Sequence, residues 1–335
     1  MKFPKGILAD HQIEQAINQG MISAENGLEP LQIQPASVDL RLGAKAYRLR
    51  ASFLPNGRTV DECLTEDVVM HTIDLSQGAV LETGCVYLVP LQEYVKLFDG
   101  LTATANPKSS TGRIDVFVRL IADGVSAFDK IPEGYDGPIY AEVSPRTFSV
   151  LVRPGDRLLQ MRFRSGSHEP TETLDFSVHL EPLQDGLIGY RARRHAHVLD
   201  ISRVAGHSTE AYWEPVYAQN KRLILDPDEF YILASKEFVT IPTDRAAEMA
   251  PIAPDLGEFR AHYAGFFDPG FGCAGGTGRA VLEVRGRDVP FILEHGQPVG
   301  RLVYEAMSEE PRAPYGGQGS NYQGQGLKLS KHFAP

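Results

Sequence analysis

One β-rich unit occurs twice in this chain, and that repetition limits the possible folds more than any other feature. The run Val86-Tyr87-Leu88-Val89-Pro90-Leu91-Gln92-Glu93-Tyr94-Val95 is echoed by Phe230-Tyr231-Ile232-Leu233-Ala234-Ser235-Lys236-Glu237-Phe238-Val239, with Tyr87 over Tyr231 and Glu93 over Glu237. Further on, Gly137–Val143 is echoed by Gly278–Val284, and Val152–Asp156 by Leu293–Gln297. Order and spacing are held over much of each unit, which indicates a tandem duplication. In the first unit, short apolar or alternating runs recur between Gly, Pro, Asp and Asn: Ser37–Leu42, Val86–Pro90, Val116–Leu120, Ile139–Val143, Ser149–Val152 and Leu158–Phe163; the second unit repeats this plan. Many short strands with polar turns predict a mainly β, sandwich-like or barrel-like fold. A short helix is expected near the start, from His11 to Asn18, capped by Asp10 and ended by Gly20. The expected domains are 1–180 and 190–310, with a seam near 181–191 and a Gly/Gln-rich arm over 311–335.

The 335 residues suffice for two domains with real cores. A net charge of −10 argues against non-specific binding to nucleic acid or an anionic membrane, but leaves room for a small anion in a local cationic pocket. No apolar run reaches the roughly eighteen residues of a membrane-spanning helix, and the N-terminus has no apolar signal core. Three scattered cysteines, Cys63, Cys85 and Cys273, suit a reducing cytoplasm rather than a disulfide framework.

Chemistry is concentrated in a few places. Pro107-Lys108-Ser109-Ser110-Thr111-Gly112-Arg113 brackets three hydroxyls and a glycine with two cations. Such a segment can cradle a polyphosphate, although it lacks the G-x-x-x-x-G-K-[ST] order and is equally readable as a polar turn. It occurs once; the second unit has Ile252-Ala253-Pro254-Asp255-Leu256-Gly257-Glu258 in its place. Glu142 and Glu283 sit at corresponding points inside apolar strands, where glutamate is depleted. Burial there disfavours the charged carboxylate, which suits proton transfer near neutral pH, whereas a half-exposed strand would simply turn both outward. Upstream of each glutamate lies an aromatic–aspartate turn, Phe128-Asp129 in the first unit and Phe267-Asp268-Pro269-Gly270 in the second. Gly270–Gly275 matches G-x-G-x-x-G but leads into a strand-like run, so it reads as a glycine-rich hairpin rather than a dinucleotide fingerprint. His179-Leu180-Glu181 matches H-x-E with no C-x-x-C, so zinc-deaminase chemistry is not expected. His195 and His197, beside Arg191, Arg193 and Arg194, read as surface. The terminal Pro314–Gly326 stretch, rich in Gly, Tyr and Gln, is either a disordered tail or an arm that orders over a ligand.

Taken in order, Gln34-Pro35-Ala36-Ser37-Val38-Asp39-Leu40-Arg41-Leu42-Gly43, the Lys108–Arg113 loop, Asp268-Pro269-Gly270-Phe271 with Val281-Leu282-Glu283, and Tyr322-Gln323-Gly324-Gln325-Gly326 closely resemble the dCTP deaminases of the dUTPase-like superfamily, in a long two-domain bacterial form. The resemblance implies a tandem pair of distorted β-barrel or jelly-roll domains with a few short helices. It also implies zinc-independent hydrolysis of dCTP to dUTP and ammonia, supplying dUTP for dTTP synthesis, with Mg²⁺ carried on the triphosphate. A homo-oligomer and feedback inhibition by dTTP are further implications. Carried over residue by residue, Lys108, Ser109, Ser110, Thr111, Gly112 and Arg113 take the phosphates, with Ser109 and Arg113 also assisting catalysis. Asp268 holds the deoxyribose, Val281, Leu282 and Glu283 meet the cytosine, and Tyr315, Tyr322 and Gln325 come from the arm. A lysine of the family's arm is Asn321 here. Because family sites join the loop of one domain to the hairpin of another, one working site per chain is expected, joining Lys108–Arg113 to Asp268 and Glu283. The rival pairing makes Glu142 the proton shuttle. Rival functions are a dUTPase, a bifunctional deaminase/dUTPase, and a nucleotide-binding regulator without turnover.

Overall fold

The computed structural model describes residues 2–167, 169–183, 186–217, 220–250, 256–261, 265–273, 278–316, 322 and 326–334. It is mainly β and has two domains. In the first, a six-stranded sheet runs Lys130–Ile131, Leu101–Pro107, Arg157–Ser165, Ser37–Arg41 and Ile33–Gln34, with Gly6–Ile7 added on Arg157–Ser165. A second six-stranded sheet runs Val116–Ala122, Asp136–Pro145, Val86–Lys96, Lys45–Leu49 and Val69–Asp74, with Ile22–Ala24 added on Val86–Lys96. Alternation along the strands turns Val38, Leu40, Val89, Val118, Val143 and Met161 into the core these sheets contribute to. In the second domain a nine-stranded sheet is built around Phe230–Val239, Gly278–Gly286, Glu172–His179 and Pro298–Ala306, over a core of Phe176, Tyr231, Leu233, Leu282, Val284 and Leu302.

The duplication survives in atomic detail. The hydroxyl of Tyr87 accepts the Glu82 N–H at 3.0 Å, and that of Tyr231 accepts the Asp226 N–H at 3.1 Å. Glu93 accepts the Arg41 N–H at 2.9 Å, and Glu237 accepts the Ser177 N–H at 2.8 Å. Glu172–His179 is therefore the counterpart of Ser37–Arg41. It pairs with Pro298–Ala306 and Phe230–Val239, so although it falls within 1–180 it belongs to the second sheet system. The chain changes sheet system between Ser165 and Glu172, earlier than the seam expected near 181–191.

The first helix is Asp10–Asn18, one residue longer than its expected start. Ala9 is the cap, its N–H donating to Gln12 Oε1 at 3.0 Å. Asp10 accepts the backbone N–H groups of Arg312 and Ala313, each at 2.9 Å, which fixes the start of the arm.

The domains share a core. Trp213, Phe230, Ile232 and Val281 of the second pack with Phe148 and Val150 of the first, and Trp213 meets Phe148 and Phe333 with centroids 5.5 and 5.7 Å apart. Each such side chain contributes about 1.5–3 kcal/mol of burial. Polar contacts cross the same boundary: Arg164 holds Glu305 at 2.6 and 2.7 Å, and Arg153 holds Asp200 at 2.7 and 3.0 Å. Among the described residues no helix is long and apolar enough to cross a membrane.

Candidate active site

A cleft opens where the two domains meet. The first supplies Asp39, Lys108, Ser109, Ser110 and Arg113; the second supplies Phe266, Asp268, Phe271, Val281, Glu283 and Tyr315, with Tyr322 and Lys331 from the terminal segment.

The loop is a single helical turn, Ser109–Gly112, that follows the strand Leu101–Pro107. Its fold comes from backbone bonds: the Thr111 and Gly112 N–H groups donate to the Lys108 carbonyl at 2.8 and 3.0 Å, and Arg113 N–H donates to Ser109 at 3.1 Å. Thr111 is buried with its hydroxyl donating to Leu158 O at 3.0 Å, so it holds the loop to its neighbouring strand and does not line the cleft. Lys108 Nζ pairs with Asp39 Oδ2. Arg41, two residues along and on the same strand face, turns instead to Glu93 at 2.8 Å.

Glu283 comes from the facing domain, on the strand Gly278–Gly286. It is 4% exposed, and its carboxylate lies against the bare Cα of Gly112: a Cβ there would stand 2.6 Å from Oε1. Glycine is therefore required by close approach. Burial lowers the basicity of the Arg113 guanidinium, while Tyr322, Glu283 and Tyr315 work in the other direction. Arg113 also stacks on Tyr322 at 3.9 Å and donates to the Lys328 carbonyl at 3.0 Å. Leu282, alternating with Val281 and Glu283, points into the second core rather than the cleft.

The hairpin Asp268–Cys273 is shaped by Gly270 (φ 93°) and Gly272 (φ 74°), and is tied to Ile241 through Gly270 N–H at 2.9 Å and Ile241 N–H to Phe271 O at 2.8 Å. Asp268 is pushed toward its protonated form by burial and held back by Arg162, whose Nη2 lies 3.3 Å from Oδ1. Arg162, fully buried, is itself stacked on Phe266 at 4.0 Å. Phe271 contacts Phe267 (5.3 Å) and Tyr315 (5.6 Å), forming an aromatic wall. Burial raises the pKa of the Tyr315 hydroxyl.

The terminal segment is docked. Tyr315 N–H donates to Pro269 O at 2.8 Å, Ser330 Oγ to Ser110 O at 2.9 Å, and Lys331 N–H to the Tyr322 hydroxyl at 3.2 Å. Phe333 then enters the shared core. Lys331 reaches the cleft, with its pKa lowered by burial and by Lys108, and supported by Asp39. Gln325 and Asn321 lie outside the described residues, as does 252–255 of the second unit's altered loop.

Glu142 is elsewhere. It is 2% exposed on the strand Asp136–Pro145 and receives Arg119 Nε at 3.1 Å and Nη2 at 2.5 Å. Arg119 is covered by Phe128 at 3.5 Å and bonded to Ser52 at 2.9 Å. Glu142 thus has its cation from the adjacent strand, whereas Glu283 lies against the loop of the other domain.

His179 and Glu181 converge with His295, with ligand-capable atoms within 4.8 Å of one another, away from the cleft. Leu180 N–H donates to His295 Nδ1 at 3.1 Å, which in a neutral ring leaves the proton on Nε2 and makes it a poor metal ligand. Arg191 and Arg193 pair with Glu214, and Arg194 with Glu229, at the surface.

Sequence reasoning missed Asp39, Gln160, Phe266, Arg162 and Lys331. Asp39 had a signal, as a charged residue within the apolar alternation of Ser37–Leu42. Lys331 had none, because only the docking of Ser330 and Phe333 brings it to the cleft.

The family model for the 2'-deoxycytidine 5'-triphosphate deaminase (DCD) N-terminal domain matches residues 4–167, and that for the C-terminal domain matches 156–333. The crystal structure of 2'-deoxycytidine 5'-triphosphate deaminase from Agrobacterium tumefaciens is 51% identical, covering 92% of this chain and 100% of that one, with a TM-score of 0.88. A dCTP deaminase of Haloarcula marismortui is 33% identical over 160 residues, 47% of this chain and 79% of that protein. A protein of Methanobrevibacter smithii named "dCTP deaminase, dUMP-forming" is 30% identical over 161 residues, 48% of this chain and 80% of that protein. The mainly β, two-domain fold matches that of the solved 2'-deoxycytidine 5'-triphosphate deaminase. This chain belongs to the 2'-deoxycytidine 5'-triphosphate deaminase family.

Proposed function

We propose that the cleft hydrolyses dCTP to dUTP and ammonia, with Glu283 as the proton shuttle. The observation that carries this reading is the seating of the Glu283 carboxylate on Gly112, beside Arg113, in a cleft that also holds Asp268 and two lysines. Lys108, Ser109, Ser110 and Lys331 take the triphosphate, whose negative charge matches both cations. Mg²⁺ enters as part of the substrate, on the triphosphate. Asp268, steadied by Arg162, accepts a deoxyribose hydroxyl above Phe271. The cytosine then lies against Val281 and Glu283. Glu283 takes a proton from water and passes it to N3 of the base as the water oxygen bonds to C4; it then moves the remaining hydroxyl proton to the amino group, and the C4–N bond breaks with ammonia leaving and a C4 carbonyl formed. Ser109 and Arg113 hold the water and stabilise charge developing at C4. Burial of Arg113 strengthens that attraction by excluding solvent.

Incubation with dCTP followed by ion-exchange chromatography and an ammonia assay tests the reading. dUTP with equimolar ammonia is expected; dCTP bound without ammonia release would make the chain a regulator. Relatives named "dUMP-forming" favour one second reading, in which dUTP is cleaved further to dUMP and diphosphate; the same chromatogram separates the two. A cytoplasmic homo-oligomer inhibited by dTTP completes the proposal. Sedimentation and dTTP titration test the assembly and the inhibition.

A further inference from the structure

The domain boundary beside the cleft carries a second pair of opposite charges. Asp115 follows Arg113 by two residues, and Arg285 follows Glu283 by two on one face of the same strand. Arg285 Nη2 pairs with Asp115 Oδ2. Thr147 closes the triangle, donating to Asp115 Oδ2 at 2.6 Å and accepting from Arg285 Nη2 at 2.8 Å. Asp115 is fully buried in a left-handed conformation (φ 53°). Its N–H donates to Gly112 O at 2.8 Å and its carbonyl accepts from Arg146 N–H at 2.9 Å. Its carboxylate is therefore rigidly continuous with the loop that carries Arg113. On the other side, Arg285 Nη1 donates to Asp228 O at 2.5 Å, anchoring the guanidinium to its own domain. Neither Asp115 nor Arg285 lines the cleft.

We propose that Asp115 and Arg285 are positioning residues that set the approach of Arg113 and Gly112 to Glu283 across the domain boundary. The charge order is reversed between the two pairs, cation to anion at Arg113–Glu283 and anion to cation at Asp115–Arg285. Sliding the strand by two residues would therefore oppose like charges, and the clamp fixes register as well as distance. The kinetic part of this inference rests on the deamination proposed above.

The test uses D115N and D115N/R285M in the full chain. The double variant leaves no uncompensated buried charge and so is less destabilised than the single change, which keeps the test readable where D115N lowers the melting temperature. The parent is assayed alongside, so failure of the deamination reading appears in the parent itself. In both variants kcat is expected to fall about 10- to 100-fold, as expected for misplacement of order 1 Å. KM and the affinity for an unreactive dCTP analogue change much less than kcat, within about threefold of the parent, because Lys108 and Lys331 lie outside the loosened segment and keep their charges. Hydrogen exchange at residues 109–114 decides the matter independently of turnover. Faster exchange there in both variants supports the clamp. Parent-like exchange, or parent-like kcat with only a lowered melting temperature, overturns it.

Discussion

Replacing Gly112 by alanine isolates the contact on which the proposed chemistry depends. The added Cβ would lie 2.6 Å from Oε1 and 2.7 Å from Cδ of Glu283, whereas ordinary contact begins at 3.4 Å. Relief of the Oε1 contact alone requires about 0.8 Å (3.4 less 2.6), and Oε2, which lies nearer still, raises the required displacement to about 1 Å. The moving group is the end of one side chain, so the overpacking penalty lies at the low end, about 1 kcal/mol. Gly112 ends a helical turn with an ordinary backbone φ, so alanine recovers about 0.5–1 kcal/mol of chain entropy. Stability should therefore be nearly unchanged. Catalysis should not be, because a displacement near 1 Å in a reacting group lowers the rate about 10²-fold. We expect G112A to melt within a few degrees of the parent and to bind dCTP with little change. Its single-turnover ammonia release should be about 30- to 100-fold slower. A variant that melts normally and turns over within about threefold of the parent would refute the role given to Glu283.

E283Q should lower kcat by about 10²–10⁴, the usual contribution of a general base, while E142Q leaves turnover within about threefold; the reverse result in steady-state kinetics would transfer the chemistry to Glu142. K331A should raise KM for dCTP about tenfold with kcat little changed, and the effect should shrink as salt is added; a salt-independent result would show that Lys331 meets no phosphate. Asp129 has its pKa pushed up to about 7, chiefly by burial. The folded state then keeps a proton that the unfolded chain loses near 3.8, so stability falls as pH rises through that window. D129N keeps an acceptor for the Leu120 N–H, now at 2.7 Å, and removes the charge. Full linkage is worth about 4 kcal/mol, although solvent at the residue's edge reduces this to about 1–2 kcal/mol. D129N should melt higher than the parent at pH 8 and like it at pH 4; equal melting at both would refute a buried ionised Asp129.

The fold was legible because period-two patterning and the paired Tyr87/Tyr231 and Glu93/Glu237 positions are local features that survive duplication. The sheet membership of Glu172–His179 was not, since it follows from a contact with Glu237, far away in sequence. Among the site residues, the loop and the glutamate strands stood out as polar groups in apolar surroundings. Leu282 was carried into the site with its neighbours, but strand alternation turns it into the core. Thr111 shared the loop's composition while serving to hold it in place. Arg162 and Phe266 were invisible because a guanidinium stacked on an aromatic ring across two domains leaves no sequence spacing behind. The expected Asp10 cap failed for a similar reason: its carboxylate is used by Arg312 and Ala313.

All the described groups around the cleft are carried by one polypeptide, with the phosphate-side loop in the first half and the glutamate strand in the second. Bringing them together is therefore an intramolecular event, governed by the effective concentration of a tethered partner. Dilution cannot separate them, so specific activity should hold down to enzyme concentrations at which a site shared between free subunits would fall apart. The tether also frees each half from having to serve both sides of the same site. One half can lose its loop and the other can turn its glutamate to a neighbouring arginine, provided that one complete set persists.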